Sequence, residues 1–354
     1  MTHPETMSGV LLTAHGGPEA LVWSDAIPVP EPGPGEVLVR VLAAGVNNTD
    51  INTRLGCYSP AVTGATGEGV GDDGGWFGAL RFPRIQGGDL CGRIVALGDG
   101  VRGLSVGQRV TTPLCQPEPT PDNPVALRVL GSEYDGAFAQ FCVLPARHVH
   151  QVDDSPLSDA EIAAIPCSHG TALGMLDRAQ VAAGQRVLVT GASGGVGLAA
   201  VQLATRIGAR VTALSGAQKA DVVKTMGADQ VLPRDAALPE GHFDAVIDLV
   251  GGPAWGRLIK AIRPGGHLSV AGAIAGPIVE FDLRALYLSD ITLHGCTYQP
   301  PQVFDRLLDW MRDGSLRPLV SQVYPLAEIA RAQADFMAKT YPGKLVLVPP
   351  EILS

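Results

Sequence analysis

Residues Gln185 to Gly208, QRVLVTGASGGVGLAAVQLATRIG, leave few folds open. Arg186 to Thr190 is a short apolar run suited to a buried parallel strand, and Gly191 to Gly197 is a glycine-rich turn. Val196, Ala200, Leu203 or Ala204, and Ile207 then recur at helical spacing. Gly194, Gly195 and Gly197 let the backbone turn sharply, bring main-chain N–H groups to an anion and pack the helix closely on the strand. Ala192, Ser193, Gly194, Gly195, Val196 and Gly197 are therefore candidate contacts for the pyrophosphate of a dinucleotide. Ala192 stands where the commoner fingerprint has its first glycine, and a turn needed only for packing is the competing reading.

The turn sits inside an alternating series. Strands are expected at Arg210–Leu214, Gln230–Leu232, Phe243–Leu249, His267–Ala271 and Ile291–Gly295, with helices at Gln218–Met226 and Ala254–Ile262. This α/β pattern predicts a Rossmann doubly wound parallel sheet of about six strands, and right-handed crossovers order it 3-2-1-4-5-6. Two helices precede it, one over Ser158–Ile165 capped by Ser158 with Glu161 three residues on, and one over Cys167–Ala179.

Before Asp153 the chain is β-rich. Met7–Thr13 and Ala20–Ile27 read as a hairpin, Glu36–Ala44 as a strongly apolar strand, Phe82–Val110 as two or three strands, and His148–Val152 as a last strand. Together they suggest a compact barrel. The segment Gly45–Tyr58 is too polar for core and reads as a site loop entering a helix. Ser59–Gly78 is long and glycine-rich, either a tolerated insertion or a lid, with Trp76 and Phe77 favouring the lid. After a helix over Val303–Asp313, the elements Gln322–Tyr324, Leu326–Ala338 and Leu345–Val348 return to the barrel. The domains are thus residues 1–157, 158–298 for the nucleotide, and 299–354 completing the first.

Composition narrows the partners. A chain of 354 residues with 46% hydrophobic content and net charge -9 suits a two-domain enzyme and argues against nucleic acid or an anionic membrane surface. The six cysteines are dispersed, no apolar run reaches about 18 residues, and the first residues are polar, with Met7 an alternative start; a cytoplasmic protein is expected.

The chain resembles the medium-chain dehydrogenase/reductase superfamily, and within it the zinc-free quinone oxidoreductase-like branch. The resemblance rests on the loop Ala44–Asp50, the segment Gly87–Val95, the run Gly107–Val110, the turn TGASGGVG and the terminal GKLVL of Gly343–Leu347. It implies a GroES-like β-barrel catalytic domain, an inserted Rossmann domain, and a site in the cleft between them. Zinc members carry a cysteine where Asn47 stands, a His-Glu pair where Gly88 and Asp89 stand, and a cysteine matching Cys167. One thiol and one carboxylate do not make a zinc site of three protein ligands, and only Cys115 remains of a structural zinc lobe, so no metal is expected. Cys167 then reads as a packing residue beside the cofactor.

An acid about 20 residues past the glycine turn would select NAD. Here Ser215 and Lys219 occupy that region, and the first acid, Asp221, falls on the next helix. A hydroxyl and an ammonium suit a 2'-phosphate, so NADPH is expected; the bland alternative is a solvated lysine. Val250, Gly251, Ala271, Gly272 and Ala273, at strand ends, are placed to meet the ribose and carboxamide. Thr171 resembles a family position near the nicotinamide, while His169 reads equally as a helix-start residue or an acid.

Hydride addition to a conjugated alkene needs an oxyanion stabiliser and a proton donor, not a metal. Tyr58 could donate the proton and Asn47 could bind the carbonyl or the cofactor amide, with Asn48 and Asn52 close by. The family often has a second tyrosine where Asn52 stands; Asp50 and Asp89 read as structural. The expected activity is NADPH-dependent, zinc-independent reduction of an α,β-unsaturated carbonyl or quinone. The alternatives are a zinc-independent alcohol, aldehyde or ketone reductase and a silent NADPH-binding protein. A homodimer through the edge strand Ile291–Gly295 is expected. Arg54, Arg81 and Arg84 are available should the acceptor carry a coenzyme A phosphate.

Overall fold

The computed structural model describes residues 3–69, 71, 75–76 and 80–352. Phe77, half of the aromatic pair read as a lid, lies outside them. The chain divides into two units, the first formed by residues 1–62, 69–167 and 300–354, the second by 63–68 and 168–299. The first unit runs further into the chain than residue 157, because the helix Asp159–Ala163 packs on the strands Glu36–Gly45 and Asp89–Leu97. Its cap is the expected one, Ser158 Oγ accepting from the Glu161 N–H at 3.3 Å.

The first unit is built round Glu36–Gly45. This strand pairs antiparallel with Asp89–Leu97, Phe141–Pro145 and Lys344–Val348. It is covered on both faces, with Val37, Leu38, Val39 and Val41 all buried in one core with Leu90, Ile94, Phe138, Leu345 and Leu347. The register is what matters for function. Gly45 stands opposite both Asp89 and Val346, so Asp89 and Lys344 flank the point where the strand gives way to the helix Asn48–Leu55. A side chain at Gly45 would meet Ala163 O at 2.5 Å and Asp89 Oδ2 at 2.9 Å, so only glycine admits this approach.

The second unit is a six-stranded parallel sheet in the order Gln230–Leu232, Arg210–Leu214, Arg186–Val189, Phe243–Asp248, Ile262–Val270, Thr292–Gly295. This is the 3-2-1-4-5-6 arrangement the sequence predicts. Ile262–Val270 starts earlier than the sequence suggests, because Ile262 pairs with Phe243 before a bulge and the regular pairing from His267 onward. The helix after Arg210–Leu214 begins as a 3-10 turn over Ala217–Lys219 and continues over Ala220–Thr225. Among the described residues no helix is long and apolar enough to cross a membrane.

Candidate active site and nucleotide-binding end

In the first unit, four segments distant in sequence meet at a buried polar cluster. The Lys344 ammonium donates to Asn47 Oδ1 at 2.5 Å and to Asp89 Oδ2 at 2.9 Å, and Asn47 Nδ2 donates to the same Asp89 oxygen at 3.0 Å. The second Asp89 oxygen accepts the Cys167 N–H at 2.7 Å. Lys344 and Asp89 are 4% and 0% exposed, so this pair is fully desolvated. Burial and the neighbouring Asp89 push the Cys167 thiol well up, so it stays protonated. Gly88 has no room for a side chain as packed, since its Cβ would fall 1.9 Å from Leu114 Cδ1. The Asn47 side chain is thereby committed to this cluster on both its oxygen and its nitrogen.

Asp50 lies beside the cluster and accepts the Asn47 N–H at 2.7 Å. Burial, reinforced by Asp89, outweighs that bond and raises its carboxyl from 3.8 to about 7. Over the window from 3.8 to about 7 the folded protein keeps a proton that the unfolded chain has lost. This contribution to stability therefore falls as pH rises, by about 1.4 kcal/mol per unit. Asp50→Asn is expected to flatten that slope; equal urea-unfolding slopes for both proteins across the window would contradict it.

Past the end of the helix Asn48–Leu55, Tyr58 is 38% exposed. Its hydroxyl donates to Thr49 Oγ1 at 3.0 Å, and Trp76 Nε1 donates to the same oxygen at 2.7 Å. The two rings lie 5.5 Å apart, and the Asn52 side chain also reaches the phenol. Enclosure of the hydroxyl end raises the phenol, so it is a protonated donor at neutral pH. Asn48 Nδ2 donates to Asn52 Oδ1 at 3.1 Å. Thr49 went unnoticed in the sequence because a threonine on a helix carries no signal until its neighbours are known.

Of the three arginines, Arg54 is buried inside the unit, its guanidinium donating to Gly16 O at 2.5 Å and Gln333 Oε1 at 2.9 Å. Arg84 pairs with Asp135 at 2.7 Å. Only Arg81 stands exposed.

In the second unit, Arg186–Val189 leads through Gly191–Gly194 into the helix Gly195–Ile207. A Cβ on Gly197 would lie 2.2 Å from Gly191 O, the close helix–strand packing the motif requires, whereas Gly194 is open to solvent. Ala192 and Gly197 are buried beneath the turn, and Ser193, Gly195 and Val196 are part-exposed at the helix start, where N–H groups lack helical partners. Beside them, Asp248 accepts from Thr190 Oγ1 at 2.6 Å, Val250 N at 3.1 Å, Gly251 N at 3.1 Å and Trp255 Nε1 at 2.6 Å. Ala271 N donates to Asp248 O at 3.2 Å, and a Cβ on Gly272 would meet Leu249 O at 2.8 Å. Val250, Gly251 and Ala271–Ala273 thus form one rim at the carboxyl ends of the strands, the place where open α/β sheets bind ligands.

Ser215 is buried at the end of Arg210–Leu214, and Arg234, unforeseen in the sequence, lies with its Nη2 3.6 Å from the Cβ that Gly216 lacks. Burial and the Arg234 charge lower the Lys219 ammonium. Two cations that disfavour each other beside a hydroxyl suit an anion. Thr171 Oγ1 accepts from Gln299 Nε2 at 3.4 Å, and His169 is buried with its Nδ1 2.9 Å from Ser168 Oγ.

Fold and site define a class, a pyridine-nucleotide-dependent oxidoreductase with a GroES-like unit and a doubly wound unit. The alcohol dehydrogenase GroES-like domain family matches residues 33–154, and the zinc-binding dehydrogenase family matches residues 195–313. A solved structure from Sinorhizobium meliloti 1021 with a provisional alcohol dehydrogenase designation is 43% identical, covering 98% of both chains with TM-score 0.89. The acryloyl-coenzyme A reductase of Metallosphaera sedula is 28% identical over 90% of this chain and 93% of its own. The quinone oxidoreductase of Lama guanicoe is 28% identical over 98% and 99%. The chain belongs to the medium-chain dehydrogenase/reductase superfamily.

Proposed function

We propose that this protein is an NADPH-dependent reductase of α,β-unsaturated carbonyls or quinones that works without zinc. The carrying observation is the Lys344 ammonium bonded to Asn47 and Asp89. The donor set does not fit a zinc ion. Asn47 is a weak ligand, Cys167 offers a single thiol, and the Asp89 carboxylate is already bonded to an internal cation, so three protein ligands are not assembled. Without a Lewis acid, an acceptor whose conjugation already spreads the developing charge is the better substrate. Two relatives named for acryloyl-coenzyme A and quinone reduction support that class.

NADPH, when bound, supplies the hydride. The turn Ala192–Gly197 would hold its pyrophosphate on backbone N–H groups, and Val250–Gly251 and Ala271–Ala273 would line the ribose and nicotinamide. Ser215, Lys219 and Arg234 would take the 2'-phosphate. Tyr58 would give the proton, its exposed edge drawing a replacement from water.

The test is NADPH oxidation by chelator-treated protein, offered in parallel a conjugated enone, its saturated ketone and a simple quinone. Turnover of the enone or quinone alone is expected; turnover of the ketone alone, or only after zinc is added, would favour the alcohol dehydrogenase reading. Lys219→Ala and Arg234→Ala are each expected to raise the KM for NADPH about tenfold, the scale of one charge-assisted hydrogen bond at a part-exposed site, and to leave that for NADH unchanged. Equal effects on both nucleotides would argue against a 2'-phosphate site.

A further inference from the structure

We propose that Trp76, carried by the glycine-rich segment after the catalytic loop, is a positioning residue for the proton donor Tyr58. The inference rests on the reductase reading above. An indole N–H donates and never accepts. Its bond to Thr49 Oγ1, at 2.7 Å, therefore anchors the threonine oxygen from one side, whichever way the hydroxyl proton turns. In the resting site the Tyr58 hydroxyl, 3.0 Å away, donates to that same oxygen, and once the phenol proton has left, the Tyr58 oxygen becomes an acceptor for the Thr49 hydroxyl.

This matters when the phenol gives up its proton. Hydride adds to the β-carbon of the acceptor and forms the new C–H bond, and the displaced π pair becomes an enolate. Tyr58 delivers its proton to that enolate. Thr49, still held by Trp76, then turns its own proton onto the phenolate, and the Asn52 side chain adds a second hydrogen bond to the same oxygen. The indole on its oxygen makes Thr49 a stronger donor, because hydrogen bonds in a chain polarise one another. Water at the exposed side of Tyr58 restores the phenol, so each turnover consumes one hydride and one proton. A phenol whose burial opposes ionisation is one that needs such support.

Trp76→Phe keeps a ring beside Tyr58 and removes only the N–H. Its kcat with an enone is expected to fall about three- to tenfold, the scale of one lost hydrogen bond between neutral groups, with a larger solvent isotope effect and an unchanged KM for NADPH. Thr49→Val is expected to give the same loss, and the double variant no more than either single one, since the two residues act as one unit. Independently of activity, the Trp76 indole N–H resonance, assigned by its loss in Trp76→Phe, is expected to exchange slowly and to lose that protection in Thr49→Val, while that of Trp255, bonded to Asp248, stays protected in both. An active wild type with an undiminished Trp76→Phe, or additive losses in the double variant, would overturn the role of Trp76 alone. A wild type inert to every acceptor would overturn the reductase reading and this role together. Fast exchange of the Trp76 indole N–H would overturn the anchor itself.

Discussion

Lys344→Met is expected to destabilise the protein by about 3–5 kcal/mol, the cost of leaving a buried carboxylate without its partner. Asp89 has no exposure through which water could replace the ammonium, and Asn47 Oδ1 would lose its donor in the same step. The double variant Lys344→Met with Asp89→Asn removes both charges. It should recover much of the loss, since an apolar replacement of a buried ion pair is often close to neutral. Urea unfolding of the two single variants and the double one gives the coupling directly. Single variants within about 0.5 kcal/mol of the wild type would mean that the pair is hydrated in solution.

Asp248→Ala is expected to cost nearly as much and to abolish tight nucleotide binding. It strips the acceptor from Thr190, Trp255 and the backbone of Val250 and Gly251 at once. Each buried donor left unmade costs about 1–3 kcal/mol, though relaxation makes the sum smaller than four independent losses. Gly251, at φ +65°, sits in a conformation that the Asp248 carboxylate helps to hold. Fluorescence titration with NADPH and a thermal melt would separate the two effects. A variant that melts lower yet binds NADPH as tightly would show that Asp248 supports the sheet without shaping the nucleotide rim.

The second unit was legible because its signals are local. Strand, turn and helix lie contiguous around Gly191–Gly197, and the handedness of crossovers then orders the remaining strands. The site of the first unit was legible only in part. Asn47, Asp89 and Cys167 stand out when set beside a zinc-binding pattern, but the side chain that ties two of them, Lys344, is brought in by strand register from the far end of the chain. In the sequence Arg54 reads as available to an acceptor's phosphate, whereas its burial depends on Gly16 and Gln333 from two other segments. Arg234 follows a short strand with nothing local to mark it, and becomes a candidate phosphate ligand through its closeness to Gly216 and Lys219. Trp76 was noticed, yet as part of a lid; its bond to Thr49 ties it to the helix that carries the site.

The return of Lys344–Val348 to the strand Glu36–Gly45 has a consequence for how this chain comes into being. A ribosome delivers Asp89 long before Lys344, with residues 168–299 of the doubly wound unit emerging between them. That unit is contiguous apart from a short donated segment and can fold while synthesis continues. The barrel must wait with a carboxylate at its centre that has no counter-charge and a strand edge that has no partner. Nascent chains stalled before residue 344 should therefore carry a protease-resistant nucleotide unit and a protease-sensitive barrel, and release of the last residues closes the first unit in a single late step.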